Sequence, residues 1–378
     1  MKILIVTQYL DNFSGSELFV LNISKELADN GHDVSVFSPV LGKIAEKARG
    51  MGIPVTDNLL DYKNEKFDII HAQHNPTAIL ARSVFPKTPM VFMSHGFLPE
   101  LEQPPSIDLG IEQFIVLSEE TKEHLVKNHL IPGGKITLLN NSIDTEKFYP
   151  KRKPAQKPQK ILVISNHYTD EVKNVVEGAA TDLNMEIVHA GMPDNPVPSE
   201  TMPDYINRSD IVVTLGLGAL EAMACARNVI IYDIHGADGM VDEKNFFEIR
   251  KNNFSGRRYK YKYSKDSFKK ELLKYNPMTG ERLRKIVLKE HAFKQTVDDL
   301  VKLYNIVKDS KVGTNFKKFT LYNEIEFLER FSPTNAEIRE EIAQEIVLAD
   351  KNRLISEYEK IVKTQEDIIK QKDQEIKW

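Results

Sequence analysis

The fold can be inferred from one segment, Ser209–Asp242, which has the sequence SDIVVTLGLGALEAMACARNVIIYDIHGADGMVD. A short apolar run leads into Gly216, Leu217 and Gly218 and then into a helical pattern that carries Glu221, before a second apolar run. This order predicts a strand, a glycine turn, a helix and a strand, which is a βαβ unit. A helix N-terminus binds anions because its first amides lack intrahelical partners. We place Glu221 in the first helical turn, where it could accept a hydrogen bond from a ligand hydroxyl. The segment therefore predicts a nucleotide-sugar site.

The same alternation begins at the N-terminus. Lys2–Thr7 is predicted to be a buried strand, Ser14–Ser16 a turn, and Ser16–Asn30 an amphipathic helix. Further strands are predicted at Val34–Phe37, Phe67–His71, Met90–Ser94 and Phe114–Leu117. Strands that alternate with helices favour a parallel, doubly wound sheet, in which ligands bind at the carboxyl ends of the strands.

A polar, proline-rich segment, Pro150–Pro158, interrupts this pattern and is typical of an interdomain linker. A second start follows at Lys160–Ser165, which resembles the first strand. Later strands are predicted at Glu186–His189, Asp210–Val213 and Val229–Tyr232. We therefore predict an α/β protein with two Rossmann-like domains, residues 1–152 and 159–310, that face each other across a cleft. The helical pattern from residue 264 onwards ends in a helix that could return to the first domain.

Residues 311–378 show no strand pattern and are predicted to form a helical extension. Four apolar residues in this region recur every seven positions among charged ones: Ile355, Val362, Ile369 and Ile376. This spacing is typical of a coiled coil over about residues 352–378 and would support a homo- or hetero-oligomer. The alternative is a single solvated helix.

Composition narrows the class of protein. The formal net charge of −4 argues against a general nucleic-acid binder, and the single cysteine, Cys225, excludes an intrachain disulfide framework. The N-terminal MKILIV is too short for a signal peptide, and no apolar run approaches about 18 residues. We expect a cytoplasmic protein whose membrane contact, if any, is peripheral at the inner face. The basic, tyrosine-rich Asn253–Ser264 could bind a phosphate or an anionic membrane, or be a solvated loop.

A set of further segments supports a family resemblance through their order and spacing. They are Ser14–Glu17, NGHDVSVFSP (30–39), DIIHAQH (68–74), SHGF (94–97), FIVLSEETKEHL (114–125) and LLNNSIDTEKFYP (138–150). Over about residues 1–305 the chain resembles glycosyltransferases of the GT-B fold, in particular the retaining family 4. The resemblance implies transfer of a sugar from a nucleotide-diphosphate sugar, with retention of configuration and without a bound metal or other cofactor. The acceptor would be a glycan, a lipid-linked saccharide or a protein in bacterial cell-surface or protein glycosylation.

Several residues gain roles from this resemblance. Gly15 lets the backbone approach a ligand, and the helix from Ser16 offers amides to a phosphate or an acceptor oxygen. His95 would hydrogen-bond the donor sugar or its β-phosphate, or else be a capping or core histidine. Lys173 would offset the charge of the departing nucleotide, or else be a solvated surface lysine. His167 stands where the family has an arginine at the diphosphate.

Glu221 resembles the second glutamate of the family's paired-glutamate motif, which binds the nucleotide ribose. Val213 occupies the position of the first glutamate, which normally contacts the donor sugar, so the chain departs from its family here. Gly236 and Asp238 fall in a predicted loop, His235–Gly239, after the next strand and would contact the donor. The predicted catalytic residues are His95, Lys173 and Glu221.

Other functions are compatible with parts of this pattern. A nucleotide-sugar epimerase would need an added carboxylate set, which is not apparent. A catalytically silent GT-B scaffold is supported by Val213 and His167. A dehydrogenase is disfavoured because no G-x-G-x-x-G is present. The strand-end histidines His71, His74 and His95 suggest zinc, but no carboxylate or cysteine completes a recognisable spacing, and we expect no metal.

Overall fold

The computed structural model describes residues 1–11, 15–192 and 195–310, together with Lys363. Apart from Lys363, the predicted extension and coiled coil lie outside the described residues, as does Ser14. The strands are β1 (Lys2–Val6), β2 (Tyr9–Leu10), β3 (Asp33–Phe37), β4 (Val40–Leu41), β5 (Val55–Thr56), β6 (Ile69–Ala72), β7 (Met90–Ser94), β8 (Gln113–Val116), β9 (Ile136–Leu138), β10 (Lys160–Ile164), β11 (Glu186–Ala190), β12 (Ile211–Thr214), β13 (Asn228–Asp233) and β14 (Gly236–Met240). The helices are α1 (Gly15–Asp29), α2 (Lys43–Gly50), α3 (Asn75–Val84), α4 (Glu119–Asn128), α5 (Asp170–Asp182), α6 (Met202–Arg208), α7 (Leu217–Ala224), α8 (Phe246–Arg250), α9 (Lys265–Leu272), α10 (Pro277–Glu290) and α11 (Phe293–Val307).

The first domain contains a seven-stranded parallel sheet in the order β5-β3-β1-β6-β7-β8-β9. Its central strands are continuous apolar runs because helices cover both faces. Helices α1 and α11 pack on one face, and α3 and α4 pack on the other. The carboxyl ends of these strands therefore meet at one edge of the sheet.

The second domain contains a five-stranded sheet in the order β11-β10-β12-β13-β14. The first four strands are parallel, and β14 runs antiparallel to β13. Helices α6, α7 and α10 cover one face, while α5 and α9 cover the other. Cys225, at the end of α7, is fully buried and packs in this core. These two sheets confirm the predicted α/β class.

The prediction of a loop at His235–Gly239 is wrong, because the chain forms strand β14 there. A tight turn makes this pairing possible: the Asp233 Oδ1 accepts the His235 N–H at 2.6 Å, and Gly236 pairs directly with Asp233. A Cβ on Gly236 would lie 2.4 Å from the Gly256 carbonyl oxygen, so only glycine fits this close approach. A glycine-rich sequence that looks like a loop is thus the edge strand of the sheet.

The chain passes between the two sheets at two places that are hydrogen-bonded to each other. Ile143 donates its N–H to the His291 carbonyl at 2.9 Å, and Phe293 donates to the Ile143 carbonyl at 3.0 Å. Ile143 packs in the core of the second domain, before the proline-rich segment begins. Helix α11 packs in the core of the first domain, where the Tyr304 hydroxyl bonds His71 Nδ1 at 2.6 Å.

Candidate functional site

Several predicted site residues lie at the carboxyl edge of the second sheet. His167 follows β10, Gly216 follows β12 and His235 follows β13, and these strands are parallel neighbours. The His167 and His235 rings touch edge to face, with centroids 5.0 Å apart. Ligands bind at this edge in open parallel sheets.

The turn before α7 is only two residues long, Leu215 and Gly216. Gly216 has a φ of +59°, a conformation that favours glycine. Its N–H donates to the Phe254 carbonyl at 2.9 Å, so this amide is committed inside the protein, contrary to a role in anion binding. The amides of Leu217 and Gly218, which begin the helix, are the ones that an α-helix leaves without intrahelical partners.

Glu221 is the fifth residue of α7, and its predicted place in the first turn is therefore wrong. The carboxylate is half-buried and lines a cavity of about 350 Å³. The other lining residues are Phe148, Val197, Pro198, Ser199, Glu200 and Met202. Burial raises the pKa of Glu221 to about 7, and the Lys147 ammonium opposes this rise. Apolar walls around an acceptor of hydrogen bonds suit a nucleoside, whose base has apolar faces and whose ribose hydroxyls donate hydrogen bonds.

Val213, which aligns with the first glutamate of the family motif, is fully buried in β12. It pairs with Val163 on one side and Ile230 on the other, and its side chain packs between the sheet and its helices. Because the following turn contains only Leu215 and Gly216, this connection cannot present a carboxylate at the sheet edge. The departure from the family pattern is thus a buried apolar side chain in place of a carboxylate.

Lys173 is the fourth residue of α5 and is half-buried. It forms no ion pair with any residue that the structure describes. His167 precedes this helix and is exposed. An ammonium group without a carboxylate partner remains available to a phosphate.

Asp238 is 1% exposed, and its Oδ1 accepts the Tyr259 N–H at 2.6 Å. Burial raises the pKa of this carboxyl, and backbone N–H groups led by that of Tyr259 oppose the rise. Its carboxylate thus holds the 256–260 segment beside β14. The predicted contact between Asp238 and a sugar hydroxyl remains a prediction, as does that of Gly236.

In the first domain, His95 is held by Gln73. The Gln73 Nε2 lies 3.2 Å from the Ser16 carbonyl oxygen, which can only accept, and 2.9 Å from Thr7 Oγ1. The Gln73 Oε1 must therefore face His95 Nε2, at 2.8 Å, and accept a hydrogen bond from its N–H. This tautomer leaves His95 Nδ1 as an acceptor. An acceptor nitrogen suits a sugar hydroxyl and cannot donate to a β-phosphate.

The neighbouring histidines are also neutral at physiological pH. Burial lowers the pKa of His95 to about 3, assisted by His74 and His71. Burial alone lowers the pKa of His71 to about 3 and that of His74 to about 4. His74 Nδ1 accepts the Gln8 N–H at 3.0 Å and thereby fixes the end of β1.

Gly15 begins α1 and is exposed. A Cβ placed on it would meet nothing within 4 Å, so packing inside the protein does not require glycine here. Close approach of a ligand would require it. Gly15 and Ser16 thus lie in the segment whose carbonyl contacts Gln73, next to His95.

Three of these contributors were not identified from sequence: Gln73, His235 and Lys147. Gln73 and His235 lay within motifs that had been recognised, but their partners are distant in the chain. Among the residues that the structure describes, no group of three or more His, Cys, Asp or Glu side chains is placed to hold a metal ion. Within the same residues, no helix is long and apolar enough to span a membrane.

Comparison with known proteins gives this geometry a context. Residues 13–147 match the model of Glycosyltransferase Family 4. The chain is 31% identical over 114 residues to the Escherichia coli UDP-Gal:alpha-D-GlcNAc-diphosphoundecaprenol alpha-1,3-galactosyltransferase. This match covers 26% of the chain and 30% of that relative, so the chain spans under a third of the curated protein that it matches.

Two solved structures are similar in fold to most of this chain. A glycosyltransferase from Rickettsia africae superposes with a TM-score of 0.59 at 16% identity, over 82% of this chain and 99% of that one. HepE from Anabaena, solved in complex with UDP and glucose, gives a TM-score of 0.56 at 13% identity, over 81% of this chain and 100% of that one. The protein therefore has the GT-B fold of glycosyltransferases. Residues 13–147 of its first domain are similar to glycosyltransferase family 4.

Proposed function

We propose that this protein is a glycosyltransferase that moves a sugar from a nucleotide-diphosphate sugar to an acceptor. The second domain would hold the donor nucleotide, and the first domain would hold the acceptor and contact the transferred sugar. The E. coli relative is named for UDP-galactose, and HepE was solved with UDP, which supports a nucleoside diphosphate as the leaving group.

The observation that carries the proposal is the position of Glu221. Its half-buried carboxylate lines the cavity and lies one helical turn beyond Leu217 and Gly218, whose amides an α-helix leaves without intrahelical partners. A nucleoside diphosphate has this arrangement of groups, with ribose hydroxyls beside a diphosphate. The apolar Val197, Pro198 and Met202 would face the base.

The reaction breaks the bond between the sugar C1 and the diphosphate oxygen and forms a bond between C1 and an acceptor hydroxyl oxygen. The Lys173 ammonium and the first amides of α7 would stabilise the negative charge of the departing diphosphate. His95 Nδ1 would accept a hydrogen bond from a hydroxyl of the donor sugar and orient its ring. In a transfer that retains configuration, the acceptor approaches from the side of the leaving group, whose oxygen can take the acceptor's proton.

Finer features of the proposal come from the family resemblance and from the named relative. The transfer would retain configuration and need neither a bound metal nor another cofactor. The E. coli relative acts on a diphosphoundecaprenol-linked sugar, which supports a lipid-linked acceptor in bacterial cell-surface glycosylation, although a glycan or a protein is also compatible. Such an acceptor would place the protein in the cytoplasm at the inner face of the membrane.

A catalytically silent GT-B scaffold is a second candidate, favoured by the buried Val213 in β12. Because Val213 is buried and the turn contains only Leu215 and Gly216, the carboxylate that usually contacts the donor sugar is replaced by core packing. A scaffold could still bind nucleotide but would not turn over a donor sugar.

A thermal-shift screen with UDP, GDP, CDP and their sugars tests the proposal first. At least one nucleotide should raise the Tm, since a ligand that binds only the folded state stabilises it by mass action. The identified donor is then incubated with and without candidate acceptors, and the products are separated by mass spectrometry. Binding without turnover would favour the scaffold, and an epimerised donor formed without acceptor would exclude the transferase.

A further inference from the structure

Arg257 lies near two segments that the proposed donor would touch, strand β14 and the SHGF segment. It follows Gly256, whose backbone packs directly against Gly236 at the edge of the second sheet. Its guanidinium lies 5.4 Å from the centre of the Phe97 ring, in the SHGF segment that contains His95. Arg257 is thus attached to the second domain and reaches the first.

The guanidinium is occupied by a carboxylate of the first domain. Arg257 Nε lies 3.0 Å and 3.1 Å from the two carboxylate oxygens of Glu120, and Nη2 lies 2.8 Å from Oε2. An arginine binds a carboxylate and a phosphate through the same planar pair of N–H groups. The Glu120 carboxylate therefore occupies the place in which a phosphate oxygen pair would fit.

We propose that Arg257 supplies the arginine of the donor diphosphate site and that it exchanges Glu120 for the diphosphate when the donor binds. This inference rests on the proposed function. It also accounts for His167, which stands where the family has an arginine. The arginine would come from the 251–257 segment instead of from the loop after β10.

This exchange requires a side chain to rotate, while the backbone stays in place. Phe254 accepts the Gly216 N–H, and Asn253 Oδ1 accepts the Asn141 Nδ2–H at 3.0 Å, so the segment is fixed at the donor turn. Asn253 and Phe254 have φ values of 53° and 54°, conformations that persist only where surrounding contacts hold them. Only the Arg257 side chain needs to rotate.

Arg257 can release Glu120 at a low cost in free energy. The glutamate lies in the first turn of α4, where the helix dipole favours a negative charge. It is also a quarter exposed, so water can solvate the released carboxylate.

Two variants with opposite expected effects test the exchange. Isothermal calorimetry measures the affinity for UDP and GDP and compares it with the affinity for uridine and guanosine. Arg257→Ala should weaken binding of the preferred nucleoside diphosphate by about 10- to 100-fold, the value of hydrogen bonds to a charged group, and leave nucleoside binding unchanged. Glu120→Gln should tighten diphosphate binding by about 3- to 10-fold, because a larger fraction of the protein has a free arginine. Arg257→Lys, which keeps the charge but not the planar fork, should fall between Arg257→Ala and the unmodified protein.

The matched controls are Arg258→Ala and Glu123→Gln, which remove neighbouring exposed groups whose partners, Glu248 and Lys127, lie in the same domain. Both should bind the nucleotides as the unmodified protein does. If Glu120→Gln weakens binding as Arg257→Ala does, the pair is only a fixed contact between domains and the exchange is wrong. If Arg257→Ala binds UDP and GDP normally, the inference fails and the proposed function stands. If the unmodified protein binds neither, both fail.

Discussion

The site faces of the two domains differ in how their polar groups are used. In the first domain, Gln73 joins Thr7, Ser16 and His95 in a network in which each donor meets an acceptor. In the second domain, the ammonium of Lys173 has no ion-pair partner among the described residues, and the Glu221 carboxylate lines a cavity.

This difference predicts which of the two site faces depends on a ligand. A network in which every donor has an acceptor fixes one tautomer and one ring orientation of His95 before a substrate binds. The first site face is thus preorganised. Groups without partners at the second face lower the stability of the unliganded protein and become favourable when a ligand supplies their partners. The first face would thus position reacting groups, while the second would supply binding energy.

This comparison predicts that acid changes the stability of the two domains in opposite directions. It is the largest effect that we expect. Burial lowers the pKa of His71 and His95 to about 3 and of His74 to about 4, so the unfolded state binds more protons below about pH 6.5. Stability from these histidines is present above pH 6.5 and is lost as pH falls towards 4, on the order of 1 kcal/mol per pH unit for each.

Glu221 acts in the other sense, since a raised carboxyl pKa favours the folded state as pH falls from about 7 towards 4.5. Hydrogen exchange at pH 7 and pH 5, corrected for intrinsic rates, should therefore show protection falling more in β1 and β6 than in β12 and α7. Equal losses in the two sheets would contradict the comparison.

Glu221→Gln should separate stability from binding in the second domain. Removing a carboxylate that is costly to ionise should raise the free energy of unfolding by about 1 kcal/mol at pH 8, with no gain below pH 4.5. The same change should weaken nucleotide binding by about 10-fold, because charge-assisted hydrogen bonds to the ribose are lost. Urea unfolding and calorimetry measure the two effects. Glu186→Gln, an exposed carboxylate at the opposite edge of the sheet, is the control and should change neither.

Gln73→Leu should have the smallest effect on binding and act on turnover. His95 would lose the acceptor that fixes its tautomer. We expect kcat to fall by about 10-fold, because a positioned polar group typically contributes at least that much to catalysis. The nucleotide Kd should not change, since Gln73 lies in the first domain.

Gln73→Glu distinguishes tautomer control from helix positioning. A glutamate still accepts from His95 Nε2 but cannot donate to the Ser16 carbonyl, so it should retain more of kcat than leucine does. Equal losses in both variants, measured in steady state with the identified donor, would assign Gln73 to positioning of α1 alone.

The sequence predicted the regular elements of both sheets because buried parallel strands are apolar runs between helical patterns. Strand β14 was missed because Gly-Ala-Asp-Gly is typical of a turn, and its pairing with β13 depends on the close approach of Gly236 to Gly256. The sequence pattern placed the start of α7 after Gly218, whereas the helix begins at Leu217, so Glu221 falls in its second turn.

The site was less predictable than the fold. Glu221 and Lys173 could be proposed because each follows a strand in a recognisable motif. Gln73 and Arg257 acquire their partners only through folding: Gln73 contacts residues from three separate segments, and Arg257 meets Glu120, which is 137 positions away. Such roles depend on tertiary distances that spacing along one chain does not encode.

The two connections between the domains, which are hydrogen-bonded to each other at Ile143 and Phe293, determine where the protein can be cut into fragments or joined in chimeras. Because α11 covers one face of the first sheet, an N-terminal fragment ending at the proline-rich segment would expose the apolar side chains that Val297, Leu300 and Tyr304 now cover. The first domain is discontinuous in sequence. A chimera that exchanges donor domains therefore needs two junctions, one on each side of the inserted second domain, so that the first sheet keeps its own last helix.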